Sequence, residues 1–181
     1  MNDPIDVLLE EHRQFMIPIR NLRLAVESLS TRGDSALAEV RSVLGEVALM
    51  MTTHLLVHAR KEDEALFPAL ERSFDRNHGP TAVLRAEHVE VEAQARLFER
   101  TVRQLEHVEH PAIVAGGSAL AELAAQGAEV TRMIAVAREL LDLLDSHFGK
   151  EEAILFPMAR QILNADELAD VARRMEAVEA G

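Results

Sequence analysis

The sequence predicts an all-α protein, an up-down-up-down four-helix bundle followed by a short C-terminal helix. Three observations predict it. Ala, Leu, Val, Glu and Arg dominate, Gly (8) and Pro (6) are few, and the aromatics are six Phe with no Trp or Tyr; that balance favours helix. Apolar residues recur three and four positions apart through most of the chain, the spacing of one helix face. The second half also repeats the polar signature of the first: Glu-His, then His-x-x-x-Glu with Leu-Phe-Pro behind it. Each half therefore reads as a helical hairpin, and two hairpins make a bundle.

The first helix starts at Asp3-Pro4, a capping residue followed by a proline at the first helical position. It runs to about Leu29, with Ile5, Leu8, Leu9, Phe15 and Leu22 among its apolar positions and Pro18 placed to kink it. Ser30-Thr31-Arg32-Gly33-Asp34-Ser35 reads as a turn. The second helix spans about Ser35 to Glu71, with Leu37, Val40, Leu44, Val47, Met51, Leu55 and Leu66 at helical spacing and Pro68 tightening or kinking its end. Asn77-His78-Gly79-Pro80-Thr81 is the next break. A third helix runs from about Thr81 to Glu106, and His110-Pro111 closes it. Gly116-Gly117-Ser118 forms a joint and a candidate helix start, and from about Ala125 the last long helix continues past His147 to Leu163. Asn164-Ala165-Asp166-Glu167 caps a terminal helix that ends at Gly181. Residues 1–164 are thus expected to form the bundle and 165–181 a short helical appendage.

Length and charge bound the function. A chain of 181 residues fits one domain with a sizeable core and a small appendage. The formal net charge of −12 offers no basic stripe for phosphates, which argues against a nucleic-acid partner and against docking on anionic membranes. With no cysteine, disulfides, thiolate nucleophiles and Cys-ligated zinc or iron–sulfur clusters are excluded. The first residues lack the basic region and apolar run of a signal peptide, and no apolar stretch is expected to reach spanning length. The expected location is the cytoplasm.

The chemistry lies in the repeat. His58 and Glu62, like His147 and Glu151, are four apart and so lie one turn apart on one helix face. His12 and His88 sit two to three turns in from the starts of the first and third helices, taking about 3.6 residues per turn. In an up-down-up-down arrangement those starts are level with the ends of helices two and four. Four histidines and two glutamates then share one layer. A single histidine on a half-apolar helix is an ordinary core or surface residue, and the acidic runs Glu62-Asp63-Glu64 and Glu151-Glu152 read as solvated faces. The joint pattern reads differently, because so many buried polar groups are costly without a cation to hold them. Imidazole with carboxylate and no thiolate suits iron, manganese or zinc. Two glutamates among four histidines can bridge a pair of ions, two histidines to each. With a bridging oxide or hydroxide, one position per octahedral ion stays open for a diatomic molecule or peroxide.

On His12, His58-x-x-x-Glu62, His88 and His147-x-x-x-Glu151, with both Leu-Phe-Pro tails, the chain resembles the hemerythrin-like, HHE cation-binding family over about residues 4 to 163. The resemblance implies a four-helix bundle holding two non-haem iron ions, carboxylate- and oxo- or hydroxo-bridged. His12, His58, His88 and His147 would be terminal ligands and Glu62 and Glu151 the bridges. Oxygen-carrying hemerythrins have His-x-x-x-His on the third helix and His-x-x-x-x-Asp on the fourth; here Glu92 follows His88 and Glu151 follows His147, which argues against simple oxygen carriage. Proteins of the iron–sulfur repair type share the four-His, two-Glu set but carry a cysteine-containing region absent here. The ferritin-like pattern needs Glu three residues before a histidine, and no histidine in the chain has one.

Other residues are less determined. His54, one turn before His58 on the same face, is a candidate extra ligand, hydrogen-bond partner, channel residue or plain buried histidine, with a partner or channel role favoured over ligation, and Glu92 is a candidate ligand or orienting group for His88. Glu11 and Glu87 point about 100° away from their neighbouring histidines by helix geometry, so a solvated role is expected. His78, His107 and His110 fall in or beside loops without a chemical role, and Met50-Met51 is expected to pack in the core. The leading functional expectation is a diiron protein that binds or reacts with O2, NO or peroxide in sensing, storage or detoxification. A diiron oxidase, oxygenase or catalase-like enzyme comes second, and an iron-responsive interaction module third.

Overall fold

Five helices carry the structure, a computed structural model that describes residues 3–76, 79–107 and 118–180. Helix α1 spans Pro4–Arg32. The Asp3 carboxylate accepts a hydrogen bond from the Ile5 backbone N–H at 2.8 Å, and Pro4 gives up no donor that the helix would use. The helix continues through Pro18 and ends at Gly33, whose φ of 57° would strain any side chain and whose N–H closes on the Leu29 carbonyl. A 3-10 turn, Gly33–Ala36, leads into α2, residues 37–70. Helix α3 is Pro80–His107, α4 runs over 118–162, and α5 is Ala165–Ala180. No strand occurs among the described residues. Leu163 adopts extended backbone between α4 and α5. Asn164 then caps α5: its Oδ1 accepts from the Asp166 and Glu167 N–H groups, while the Glu167 carboxylate accepts from the Asn164 N–H at 3.0 Å.

Two element boundaries differ from expectation. Helix α4 is formed from Ser118, the earlier of the two expected starts, and not only from near Ala125, because the run Ala119-Leu120-Ala121-Glu122-Leu123-Ala124 consists of strong helix formers. Helix α1 likewise passes Leu29 to reach Arg32. The Gly116-Gly117 joint and the loop histidines His78 and His110 lie outside the described residues. The expectation of no membrane-length apolar stretch is also corrected: Pro4–Leu70 contains an 18-residue window of mean hydropathy 1.3. Its apolarity comes from a helix that is buried on one side yet also exposes Leu49 on the other.

Helices α2 and α4 are not uniform. Each widens to a π-turn ahead of its proline, over Glu62–Leu66 and Glu151–Leu155. The Phe67 and Phe156 N–H groups then bond to the Glu62 and Glu151 carbonyls five residues back. Pro68 and Pro157 cannot donate and their rings would press on the carbonyl four residues earlier; one inserted residue relieves both problems. A third π-turn, Met51–Leu55, has no proline behind it. There the Thr52 and Thr53 hydroxyls bond back to the Ala48 and Leu49 carbonyls.

The apolar interior falls into two clusters. The larger joins Phe15 to Leu29 of α1, Leu37 to Leu55 of α2, Val91 to Leu105 of α3 and Val130 to Phe148 of α4. The smaller joins Ile5 and Leu8, Ala65 to Leu70, Leu84, Leu155 to Leu163 and, from α5, Val171 and Met175. Each helix of the bundle thus leaves a gap between the clusters, and the repeated polar residues occupy all four gaps. Leu144 is fully buried in the larger cluster. Leu144→Ala is expected to cost about 2–5 kcal/mol of stability, read as a lower melting temperature in chelator-treated protein.

Candidate metal centre

The four gaps hold His12, His58, Glu62, His88 and Glu151, with His147 at the edge of the last beside Phe148, and none is more than 5% exposed. The ligand atoms of Glu62, His88, His147 and Glu151 lie within 4.8 Å of one another, as do those of His12, His58 and Glu151. Glu151 joins the two groups. Its Oε2 is 3.3 Å from His12 Nε2, and its Oε1 is 3.0 Å from His147 Nε2 and 3.6 Å from His88 Nε2. Glu62 does the same less symmetrically, with Oε2 3.2 Å from His88 Nε2 and 3.8 Å from His58 Nε2. His12 and His58 converge with their Nε2 atoms 3.0 Å apart.

Each Nε2 points inward because each Nδ1 meets a carboxylate. The pairs are His12 with Glu152 at 2.8 Å, His58 with Glu11 at 2.7 Å, His88 with Asp63 at 3.1 Å and His147 with Glu87 at 3.1 Å. Every orienting carboxylate is the chain neighbour of a central residue: Glu11 precedes His12, Glu87 precedes His88, Asp63 follows Glu62 and Glu152 follows Glu151. Lys61 and Lys150 in turn pair with Glu11 and Glu87. The expectation that Glu11 and Glu87 are merely solvated is overturned. They do point away from their own helix's histidine, but that direction faces the histidine of the next helix. The signal was in the sequence, as the repeated Glu-His pair.

Phenylalanines close the layer. Phe67 stacks on His88 at 5.5 Å between ring centroids, Phe156 tilts against His12 at 5.4 Å, and Phe148 also lies against His12 at 4.3 Å. Phe67 and Phe156 are the aromatic residues of the two Leu-Phe-Pro tails. The Arg85 guanidinium covers the Phe67 ring at 5.1 Å and reaches Asp63 and Glu71.

His54 and Glu92 stand apart from this cluster. His54 is exposed and its ring meets the Thr53 hydroxyl. The four-residue rule fails for it because the π-turn Met51–Leu55 adds a residue and rotates it off the face of His58. Glu92 is half exposed and pairs with Arg96 one turn on, while the inward stripe of α3 passes from His88 to Val91 and Ala95. His54 and Glu92 nonetheless line clefts. One of about 320 Å³ between α2 and α3 is bounded by Thr52, Val57, Asp63, His88, Glu92 and Arg96. A cation-accepting centre thus has one imidazole at the edge of a polar opening.

Without a cation the layer is electrostatically frustrated. Burial raises Glu62, and the Glu151 charge adds to it, so that Glu62 is pushed up to about 8. Burial also opposes the charge on Glu151, but the His12, His147 and His88 rings closing on its oxygens prevail and hold it well below the usual carboxylate range. For His88, burial favours the neutral ring, yet Asp63, Glu151 and Glu62 outweigh it and push it up to about 11. His58 goes the other way, lowered chiefly by burial. Both Glu62 oxygens, both Glu151 oxygens and both His88 nitrogens are buried without a well-formed hydrogen bond, Nδ1 because its 3.1 Å approach to Asp63 is an ion-pair contact off hydrogen-bond angles. Close approaches lacking hydrogen-bond angles are what atoms aimed at a common ion show, and the donors fit a cation.

The profile of the hemerythrin HHE cation-binding domain matches residues 3–113 and again 104–180. The chain belongs to that family. None of the curated proteins compared with it matches. As an HHE domain it is a cation-binding protein, and its candidate ligand groups lie at the centre of the hemerythrin-like bundle.

Two measurements follow from this geometry. Glu11→Ala and Glu87→Ala, which free His58 and His147 to rotate, are each expected to weaken cation affinity about 10–100-fold; His54→Ala and Glu92→Ala are expected to leave it within about twofold. Isothermal titration of the apo protein with zinc distinguishes them. A second titration, run from pH 6 to 9, tests the protons that a cation must displace. Glu62 below about 8 and His88 below about 11 both carry one, so affinity is expected to rise with pH and to rise less steeply above about 8. A flat profile contradicts this assignment.

Proposed function

We propose that the centre holds two non-haem iron ions and that they bind or react with a small ligand, O2, NO or peroxide, in sensing, storage or detoxification. The observation that supports this reading best is the pairing of imidazoles across two buried carboxylates. His12 and His58 would hold one ion, His88 and His147 the other, and Glu62 and Glu151 both. Such a pair of ions, cycling between ferrous and ferric states, supplies electrons to O2 or peroxide and binding positions for NO.

The chain's own residues prepare that chemistry. Glu152, Glu11, Asp63 and Glu87 keep each Nδ1 occupied, so that every Nε2 is the free donor. Phe67, Phe148 and Phe156 exclude bulk water from the ring faces. The cleft that reaches His88 between α2 and α3 offers entry on the His88 and His147 side. Its size also favours a second reading, an oxidase, oxygenase or catalase-like enzyme, since about 320 Å³ admits more than a diatomic molecule.

Metal analysis of protein loaded anaerobically with ferrous iron is expected to give about two irons per chain, and Glu151→Ala, which removes the carboxylate shared by both groups, about one or fewer. Full iron content in that variant, or none in the parent, contradicts the paired centre. Absorption spectra of the reduced protein exposed in turn to O2, NO and hydrogen peroxide then separate the readings. A reversible adduct favours binding, and gas evolution from peroxide favours the catalase-like enzyme.

A further inference from the structure

The internal repeat relates α1 to α3 and α2 to α4, and it relates two surface grooves whose fates differ. Superposing Glu11-His12 on Glu87-His88 and His58 on His147 pairs Pro4 with Pro80, Val7 with Val83, Lys61 with Lys150 and Ala65 with Ile154. In the first half these residues lie under α5. Pro4 and Ala65 are buried, Val7 is half-buried and Lys61 is only 3% exposed. Ala172, Met175 and Glu176 of α5 face Pro4 and Val7, and Glu179 lies 3.5 Å from the Lys61 ammonium. In the second half no described residue covers the counterpart. Val83 is 54% exposed, Ile154 57% and Lys150 40%. With Pro80, Leu84 and Leu155 they line an apolar groove of about 180 Å³.

We propose that this groove between the start of α3 and the end of α4 docks an acidic amphipathic helix of a partner protein, as α5 docks on α1 and α2. Helix α5 states the chemistry of the occupant. It presents Val171, Met175 and Val178 on one face, buried, with carboxylates beside them, and a carboxylate of the incoming helix would meet Lys150 as Glu179 meets Lys61. A second copy of this chain is a poorer occupant, because its own α5 is committed to its own first half. The docked helix would also touch the metal centre indirectly. Lys150 holds Glu87, which holds His147, just as α5 reaches His58 through Lys61 and Glu11. The groove does not depend on which cation the centre holds, so its failure leaves that reading untouched.

The probe is a fluorescent peptide with the sequence Ala165–Ala180, held helical by a crosslink on its outer face because a free helix of this length is marginal in water. It is titrated against the full-length metal-loaded protein and followed by anisotropy. Saturable binding is expected, at least tenfold weaker for the double variant Val83→Asp, Ile154→Asp and several-fold weaker for a peptide carrying Glu179→Lys. Circular dichroism of the double variant checks that these exposed positions leave the fold intact. Absence of binding overturns the proposal, and so does equal binding to parent and variant, which means the peptide has displaced the resident α5. Sedimentation at rising protein concentration covers the remaining case: a dimer abolished by the double variant assigns the groove to a second copy and also overturns it.

Discussion

Everything in this fold is arranged around a layer of buried charge. Two carboxylates and four imidazoles sit between two apolar clusters, each supplied by all four helices of the bundle. Burying such groups without partners costs several kcal/mol each, and the bundle meets that cost by two means. Carboxylates from neighbouring helices hold the outer nitrogens of the rings, and the inner atoms converge on space that suits a cation. Protons or a cation must balance the inner charges when the helices come together, so folding and cation binding are coupled through the same atoms.

The repeated Leu-Phe-Pro tail has a physical role in that arrangement. Its proline follows a π-turn that begins at the glutamate and makes room for the ring. Its phenylalanine then closes the layer against a histidine of another helix, Phe67 on His88 and Phe156 on His12. The π-turn at Met51–Leu55 lacks a proline but has a comparable effect on position. It removes His54 from the inward face and leaves that residue beside an outer cleft.

The duplication is not carried to the surface. Helix α5 covers only the first half, which buries Lys61 while leaving Lys150 two-fifths exposed. The two halves of the centre are therefore alike in their central residues and orienting carboxylates but unlike in what surrounds them. His88, on the half without α5, is the central imidazole that borders the cleft between α2 and α3.

The sequence by itself determined the helices and the polar layer. Apolar periodicity and capping residues such as Asp3 and Asn164 are local properties, and His58 with Glu62 or His147 with Glu151 needs only one turn of helix to share a face. Only the tertiary structure decided the rest. Glu11 reaching His58 and Glu87 reaching His147 are contacts between helices, invisible to a rule that compares directions within one. A uniform 3.6-residue period puts His54 on the face of His58, and the π-turn Met51–Leu55 does not keep that period. Four-residue spacing puts Glu92 in the layer of His88, but the buried stripe of α3 runs from His88 to Val91 and leaves Glu92 at the surface. Which of two matching grooves α5 occupies also depends on how the chain returns after Leu163, a matter of packing that periodicity cannot express.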